Sequence, residues 1–163
     1  MFADDLRSEA TALLAKFRSA GLRVATAESC TGGLICALLT EIAGSSDVLE
    51  RGFITYSNDA KVELLGVTKR SLVAHGAVSR ETALAMASGA LKHSKAQVSV
   101  AVTGVAGPGG GTPDKPVGLV HLAAAHTDGR TWHREMRYGD LGRAQVREAT
   151  VRTALEMLAD AAA

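Results

Sequence analysis

The stretch LRVATAESCTGGLICALLTEI, residues 22–42, holds the pattern that decides the fold. Its first part, 22–27, is short, apolar and partly β-branched, which is typical of a buried strand. Residues 28–33 break this run with two adjacent glycines, and the apolar spacing of 34–42 predicts a helix. A strand, a tight loop and a helix in this order form the repeating unit of α/β proteins.

The rest of the chain continues the alternation of strands and helices. Residues 4–20 place apolar side chains on one helical face, and Asp128-Gly129 is typical of a hairpin turn. The remaining patterns predict strands over 52–57, 98–103, 117–125 and 131–138, and helices over 59–65, 80–94 and a long terminal segment. We therefore predict one domain over residues 1–163, a three-layer α/β/α sandwich whose mostly parallel sheet carries an antiparallel edge hairpin.

Charge and composition exclude several classes of function. The 163 residues carry 18 Lys plus Arg against 17 Asp plus Glu, a net charge of +1, and only 4% are aromatic. Nucleic acid is not an expected partner, because its binding needs a basic patch and stacking aromatics. The chain has no apolar segment of roughly 18 residues and no basic signal-peptide start, so we expect a soluble, cytoplasmic protein without membrane association. The two cysteines are too few for a disulfide framework, which favours a reducing compartment.

Three predicted strands end in unusual loops, at residues 28–33, 56–61 and 103–112. In open parallel sheets ligands bind at the carboxyl ends of strands, so we expect these loops to converge on one pocket. The first loop places Ser29 before a helix whose early N–H groups can bind an oxyanion or a phosphate. The alternative is that the serine and threonine of this loop only cap the helix.

Lys61 lies in the first turn of the helix that follows Tyr56, with Asn58 as the expected cap. The positive end of a helix disfavours an ammonium group, and burial adds to this effect, so we expect a lowered pKa for Lys61. A neutral amine at this position can act as a general base for a nearby nucleophile such as Ser29. The alternative is an ordinary surface lysine.

The loop 104–113 is the most glycine-rich part of the chain. It lacks the Gly-Lys-Ser/Thr ending of a P-loop, and its glycine spacing does not match the dinucleotide fingerprint. Its bare N–H groups can still line a ligand pocket, although a purely structural connection is the alternative. Arg143 and Arg147 lie one helical turn apart and can meet a phosphate together, but such arginines usually form a solvated helix face.

The remaining histidines and cysteines give weaker patterns. His121, His126 and His133 are five and seven residues apart, a spacing that puts no adjacent pair on one face of a strand. We therefore expect no metal site. Cys30 is an alternative nucleophile, ranked below Ser29 because cysteine is more often a small buried residue.

Several sequence blocks occur in a fixed order across nearly the whole chain. They are Ala27–Gly33, Tyr56-Ser57-Asn58 with Lys61, Leu64-Leu65-Gly66-Val67, His75–Ser79, Thr103–Gly110 and Lys115–Gly118. Together these blocks are highly specific, and through them the chain resembles the CinA C-terminal domain family, whose stand-alone members include nicotinamide mononucleotide deamidases.

The resemblance implies a serine amidohydrolase that uses no metal and no cofactor. Ser29 would be the nucleophile, Tyr56 and Lys61 its activating partners, and nicotinamide mononucleotide the substrate. The residues expected to bind the oxyanion or the substrate are Cys30, Thr31, Gly32, Gly33, Asn58, Thr103, Gly104, Gly107, Gly109 and Arg143. Arg143 follows Gly139-Asp140 after two further residues that many relatives lack. The family also implies a homo-oligomer, a dimer or higher.

Two other functions stay open. The family scaffold can serve as a catalytically silent module that binds a nucleotide or a partner, and the presence of Ser29, Tyr56 and Lys61 argues against this alternative. The enzyme can also act on a related amide, because pocket shape selects between amides. Release of ammonia from nicotinamide mononucleotide distinguishes an enzyme from a binding module.

Overall fold

The computed structural model describes residues 1–163, which form a five-stranded sheet between two layers of helices. The strands are β1 (Val24–Glu28), β2 (Leu49–Ile54), β3 (Val98–Gly104), β4 (Leu119–His126) and β5 (Thr131–Arg137). The helices are α1 (Asp4–Ala20), α2 (Leu34–Glu41), α3 (Asn58–Leu65), α4 (Lys69–His75), α5 (Arg80–Lys92) and α6 (Arg143–Ala161), with a short 3₁₀ turn at Ser45–Asp47.

The sheet has the strand order β2-β1-β3-β4-β5. The first three strands pair in parallel, and β4 pairs antiparallel with both β3 and β5. Four of the five strands therefore point the same way, and the β4–β5 hairpin forms one edge. This confirms the predicted mostly parallel sheet with an antiparallel edge hairpin.

Helices α1, α2 and α6 cover one face of the sheet. Their apolar stripes, which include Phe17, Ile35 and Leu158, bury against large side chains such as Val100 and Leu122. All five of these side chains are fully buried. They belong to a cluster of 25 buried residues, which is the larger of the two hydrophobic cores. The long amphipathic helices predicted at both ends of the chain are thus held by packing on the sheet rather than by propensity alone.

Helices α3, α4 and α5 cover the other face, where the strands present small side chains. Alanines 25, 27, 101, 123 and 125 line this face, so α5 lies close to the strands. The α3 helix in turn approaches α5 closely at Gly89, where an added Cβ would lie 2.0 Å from the Leu65 carbonyl oxygen. Glycine at this position lets α3, the helix that carries Lys61, pack closely on α5.

The connection from β1 to β2 and the connection from β2 to β3 cross opposite faces of the sheet. The chain from β1 to β2 passes through α2 on one face, whereas the chain from β2 to β3 passes through α3, α4 and α5 on the other. Since β1 and β3 are neighbours, a crevice opens at their carboxyl ends. The structure thus confirms the three-layer sandwich and shows where a ligand site is expected.

The element boundaries differ from the sequence prediction in a few places. The strand predicted over 52–57 spans Leu49–Ile54, so Tyr56 lies in the loop after it. The cap of α3 is Ser57, whose Oγ accepts from the Ala60 N–H at 3.0 Å, and the prediction of Asn58 as the cap is wrong. Asn58 is the first helical residue, and its side chain is exposed. None of the helices has the length and apolar character needed to cross a membrane.

Candidate active site

The three predicted loops meet at the carboxyl ends of β1, β2 and β3, where they enclose a pocket of about 220 Å³. Seven of the residues predicted from the sequence line it, namely Ser29, Cys30, Tyr56, Lys61, Thr103, Gly104 and Arg143. The remaining lining residues are Ala77, Val78 and Ala106, which the sequence analysis did not single out. The convergence follows from the register, because Glu28, the last residue of β1, pairs with Ile54 on one side and Val102 on the other.

The centre of the pocket is a hydrogen-bonded pair of side chains. The Nζ of Lys61 lies 3.0 Å from the Oγ of Ser29. Ser29 is held directly after β1 by its N–H, which donates to the Val102 carbonyl, and its side chain reaches the pocket although the residue is only 8% exposed. Lys61 is 1% exposed, so the alternative of an ordinary surface lysine is wrong.

The surroundings of Lys61 contain carbonyls but no carboxylate partner. Its Nζ donates to the carbonyl oxygens of Thr55 at 2.8 Å and Tyr56 at 3.1 Å, and it forms no ion pair within 4.0 Å. Burial lowers the pKa of Lys61 to about 8. In the neutral form, two N–H bonds can stay on the carbonyls while the nitrogen lone pair accepts from the Ser29 hydroxyl. The pair has the geometry of a nucleophile and its base.

Tyr56 contributes to the pocket through two separate groups. Its carbonyl oxygen accepts from Lys61 and lies 3.5 Å from the Ser29 Oγ. Its phenol points to the rim, where the hydroxyl lies 3.4 Å from Nη2 of Arg143, and the side chain is largely exposed. The phenol makes no hydrogen bond to Ser29 or Lys61, so the hydrogen-bonded route for a proton runs directly from serine to lysine.

The N-terminus of α2 is occupied by the protein itself. Glu28 is 0% exposed, and its carboxylate accepts from the N–H groups of Ile35 at 2.9 Å and Cys36 at 3.0 Å. The Gly32 N–H donates to the Ser29 carbonyl. The N–H groups of Ile35 and Cys36 are therefore closed to a ligand, because a carboxylate at the positive helix end already uses them. Of the N–H groups around Thr31 to Gly33 that were predicted to bind an anion, only that of Gly32 is used within the protein.

The N–H groups of Cys30, Thr31 and Gly33 donate to no protein acceptor. Of these residues only Cys30 lines the pocket, and it directly follows Ser29 in the chain. Burial raises the pKa of the Cys30 thiol to about 11. A thiol that stays protonated is a poor nucleophile, which agrees with ranking Ser29 above Cys30.

The other predicted binding residues lie around the pocket rather than on its wall. The Thr31 hydroxyl is buried and donates to Glu28 at 2.7 Å. Gly107 is buried, and its carbonyl accepts from Nη1 of Arg143 at 2.8 Å, which fixes this guanidinium at the rim. The remaining predicted residues that do not line the pocket are Gly32, Gly33, Asn58 and Gly109, all of which lie on the surrounding loops.

Arg147 does not join Arg143 in the pocket. Its Nε donates to the Cys30 carbonyl at 3.1 Å and its Nη2 to the Thr31 carbonyl at 3.0 Å. This arginine therefore holds the loop after Ser29 from the α6 side. The predicted pairing of the two arginines on one phosphate is wrong, and so is the alternative that they only form a solvated face.

A second cavity, the polar cleft, lies next to the pocket and shares Val78 with it. Its polar lining comprises His75, Ser79, Arg80, Glu81, Asp114, Lys115, His121, Glu135 and Arg137. His121 also stacks on His133, with 2.9 Å between Nδ1 and Nε2. The prediction that no two of these histidines are neighbours on one face is wrong for His121 and His133. It considered each strand alone, whereas the β4–β5 register makes the two residues diagonal neighbours. No group of three or more His, Cys, Asp or Glu side chains is arranged to hold a metal ion.

The fold and the pocket define a class of single-domain α/β proteins with a serine–lysine pair at the crevice of the sheet. The serine follows the first strand, and the lysine arrives from the helix after the neighbouring strand. Within this class the chain belongs to the CinA C-terminal domain family, whose model matches residues 6–162. The resemblance read from the sequence blocks is thereby confirmed.

Similar proteins match most or nearly all of the chain. The competence/damage inducible protein CihA of Agrobacterium tumefaciens superposes with a TM-score of 0.97 and 59% identity, covering 98% of this chain and 97% of that one. A CinA superfamily protein of Escherichia coli has a TM-score of 0.90 and 34% identity, covering 98% and 92%. A CinA-like protein of Akkermansia muciniphila is 51% identical over 140 residues, 86% of this chain and 34% of that protein. The chain spans about a third of the length of the curated relatives it matches.

Proposed function

We propose that the protein hydrolyses the carboxamide of nicotinamide mononucleotide to nicotinic acid mononucleotide and ammonia, with Ser29 as nucleophile and Lys61 as base. The observation that supports this proposal is the 3.0 Å contact between the Lys61 Nζ and the Ser29 Oγ, in a pocket where the lysine has no carboxylate partner. The substrate itself comes from the family resemblance. Hydrolysis in pyridine nucleotide recycling is part of the same proposal.

The first step is attack of the Ser29 Oγ on the carboxamide carbon. The Oγ–H proton moves to the neutral Nζ of Lys61 as the new C–O bond forms and the carbonyl electrons move onto oxygen. Because the Lys61 pKa is lowered to about 8, about a tenth of the amine is neutral at pH 7 and about half at pH 8. The Thr55 and Tyr56 carbonyls hold the amine in place during this transfer.

The tetrahedral intermediate needs a donor for its oxyanion. Cys30 directly follows the nucleophile and lines the pocket, and its N–H has no protein acceptor, so we assign this role to that N–H. Each well-placed donor of this kind contributes roughly 3 to 4 kcal/mol to the transition state. The prediction that N–H groups after Ser29 bind the oxyanion is kept in this assignment, but with a single donor.

Collapse of the intermediate breaks the C–N bond. Lys61 returns its proton to the leaving nitrogen, which departs as ammonia, and the acyl group stays on Ser29 as an ester. A water molecule then attacks the ester carbon, with Lys61 taking its proton, and the Ser29 hydroxyl is restored as nicotinic acid mononucleotide leaves. The nucleophile, the base and the oxyanion donor of this cycle all belong to residues that line the pocket.

The rim of the pocket supplies recognition of the mononucleotide. The Tyr56 ring is an aromatic neighbour for the positively charged pyridinium, and the Arg143 guanidinium is a partner for the phosphate. Thr103 and Gly104 also line the pocket. A substrate without phosphate should therefore bind more weakly, so nicotinamide riboside and free nicotinamide are the comparison amides.

The test is ammonia release from nicotinamide mononucleotide by the purified protein, with chelator present. We expect release that survives the chelator and falls at least about 10³-fold in Ser29→Ala. Ser71→Ala, a serine change on α4 outside the pocket, is the matched control and should keep the wild-type rate. Binding of the mononucleotide by the wild type without ammonia release would contradict the proposal and support the silent binding module.

The pH dependence of the reaction gives a second test. Because the neutral amine is the reactive form, kcat/KM should rise about tenfold per pH unit below pH 8 and level off above it. A profile that is flat from pH 6 to 9 would exclude Lys61 as the base. The homo-oligomer implied by the family is carried into this proposal, and sedimentation at the assay concentration tests it.

A further inference from the structure

Glu28 is a buried carboxylate that the reaction steps above do not use. It is the last residue of β1, directly before Ser29, and its side chain is 0% exposed. The carboxylate oxygens lie within hydrogen-bonding distance of four donors, the hydroxyls of Thr31 at 2.7 Å and Thr26 at 3.3 Å, and the N–H groups of Ile35 at 2.9 Å and Cys36 at 3.0 Å.

These donors lie on both sides of the nucleophile. Thr26 precedes Ser29 on β1, Thr31 follows it in the loop, and the two N–H groups open α2. A buried carboxylate is costly unless its lone pairs are all used, and the positive end of a helix is a favourable place for it. Glu28 therefore ties the strand end and the helix start together and fixes the loop between them.

The same loop is held from its outer side by α6. Arg147 donates to the Cys30 and Thr31 carbonyls, at 3.1 Å and 3.0 Å. With Glu28 on the inside and Arg147 on the outside, the short turn that presents Ser29 has anchors on two sides. A nucleophile needs such support because reacting groups must be held within about 0.5 Å of their working positions.

Glu28 also stays apart from the catalytic lysine. It forms no ion pair with Lys61 within 4.0 Å, although it is next to Ser29 in the chain. Its hydrogen bonds to the loop and to α2 direct the carboxylate away from the pocket, which it does not line. Lys61 thus has only uncharged partners, the Ser29 hydroxyl and two carbonyls. Because no counter-ion stabilises the buried ammonium, the neutral amine, which can accept a proton, is favoured.

We propose that Glu28 is a positioning residue, which holds the Ser29 loop on α2 in the geometry that lets Ser29 face Lys61. This inference rests on the proposed function for its effect on turnover, whereas its structural part concerns the loop alone. Glu28 touches neither the substrate pocket nor the reacting atoms, so it acts through the position of Ser29.

The test compares Glu28→Gln with Ser99→Ala. The glutamine keeps the shape of the side chain but turns one acceptor oxygen into a donor that faces the loop or the helix N–H groups. Ser99 is the matched control, because its buried Oγ donates to the Ala87 carbonyl at 2.7 Å far from the loop. Thr31→Val is a milder second variant, which removes only the 2.7 Å bond to Glu28 and serves if Glu28→Gln does not fold.

Kinetics and amide hydrogen exchange of the peptide covering residues 29–36 are measured for every variant. In Glu28→Gln we expect kcat to fall about 10²-fold with KM within twofold, an unchanged pH midpoint, and faster exchange in this peptide. Thr31→Val should show the same pattern with a smaller loss. Ser99→Ala should lower the unfolding midpoint while leaving kcat and exchange in this peptide near wild type.

Unchanged exchange in residues 29–36 of Glu28→Gln, or of Thr31→Val if only that variant folds, would overturn the proposal. A raised KM at unchanged kcat would overturn it too, since this indicates a lost substrate contact. If the wild type releases no ammonia but exchange is faster in the variants, the positioning of the loop stands and only the proposed substrate is lost.

Discussion

The candidate active-site pocket and the polar cleft share Val78 in their linings, and the buried titratable groups in them have different partners. In the pocket, Lys61 faces Ser29 and has no carboxylate partner. In the cleft, His121 has Glu135 at 3.6 Å, and charged side chains of both signs line the opening. Burial lowers the pKa of the lysine and of the histidine alike.

The difference lies in what each group faces. The lysine loses its proton next to a hydroxyl that can become a nucleophile, whereas His121 and His133 hydrogen-bond to each other at 2.9 Å. Such a histidine pair needs one ring nitrogen as donor and the other as acceptor, so the neutral forms satisfy each other. A shifted pKa therefore marks a reactive group only where a reaction partner lies within reach.

The largest effect on activity is expected for substitutions of Lys61. Lys61→Met should lower kcat/KM about 10³-fold, because the only base in contact with Ser29 is lost. Lys61→Arg should be equally inactive, since a guanidinium stays protonated. The matched control is Lys115→Met in the polar cleft, which should stay within about twofold of wild type in the same steady-state assay. Activity in Lys61→Met would remove the base from the proposal.

The buried amine should also affect stability in a defined pH window. In the unfolded chain Lys61 keeps its proton up to its ordinary pKa of 10.5, whereas the folded protein loses it near pH 8. The unfolded state binds more protons between these values, so wild-type stability rises with pH relative to Lys61→Met, by about 3 kcal/mol in total. Urea unfolding of both proteins at pH 7.5, 9 and 10.5 measures this, and parallel curves would contradict it.

A smaller effect is expected at the rim of the pocket. Arg143→Ala removes the guanidinium that bridges the Gly107 carbonyl and the Tyr56 hydroxyl, and KM for the mononucleotide should rise about tenfold with kcat within a few-fold. Arg137→Ala in the polar cleft is the control and should leave KM unchanged. An unchanged KM in Arg143→Ala would exclude this arginine from substrate binding.

The smallest effect on activity is expected in the cleft. His121→Phe should keep kcat/KM within about twofold at pH 8, since His121 lies outside the pocket. The substitution should instead change how the stability of the protein depends on pH in acid. The folded-state pKa of His121 lies below the ordinary 6.5, so the unfolded chain binds more protons as the pH falls and wild-type stability drops.

The His121→Phe variant should lose less stability than wild type between pH 7 and pH 5 in urea unfolding. The groups that bear on this titration are His133, Glu135, Lys115 and Glu81, of which the two carboxylates oppose the shift. A variant with the same acid sensitivity as wild type would show that the pair does not control it. A large loss of activity would mean that the cleft and the pocket act together.

Much of the site was predictable from local patterns. The glycine pair after the first strand, the lysine after the second and the glycine-rich loop after the third each mark a strand end, and parallel strands bring such ends to one edge. The same reasoning missed Glu28, because its four donors become neighbours only when the loop closes on α2. A carboxylate just before a helix start was the available signal, and it was assigned no role.

The errors have related causes. Asn58 and Ser57 are both good caps, and the choice between them depends on where β2 ends, which pairing with β1 settles. His121 and His133 seemed unrelated because a pattern within one strand does not specify its neighbour's register. The two arginines of α6 looked equivalent, yet only one of them reaches the pocket.

The sequence by itself determined the elements, their alternation and the identity of the chemical groups, because periodicity, caps and glycine breaks act over a few neighbouring residues. Only the tertiary structure decided that Lys61 is buried against Ser29 without a counter-ion, and that the Glu28 carboxylate closes the helix end instead. Burial and partnership depend on elements far apart in the chain. The pKa of Lys61 and the hydrogen bonds of the candidate site are therefore properties of the packed molecule.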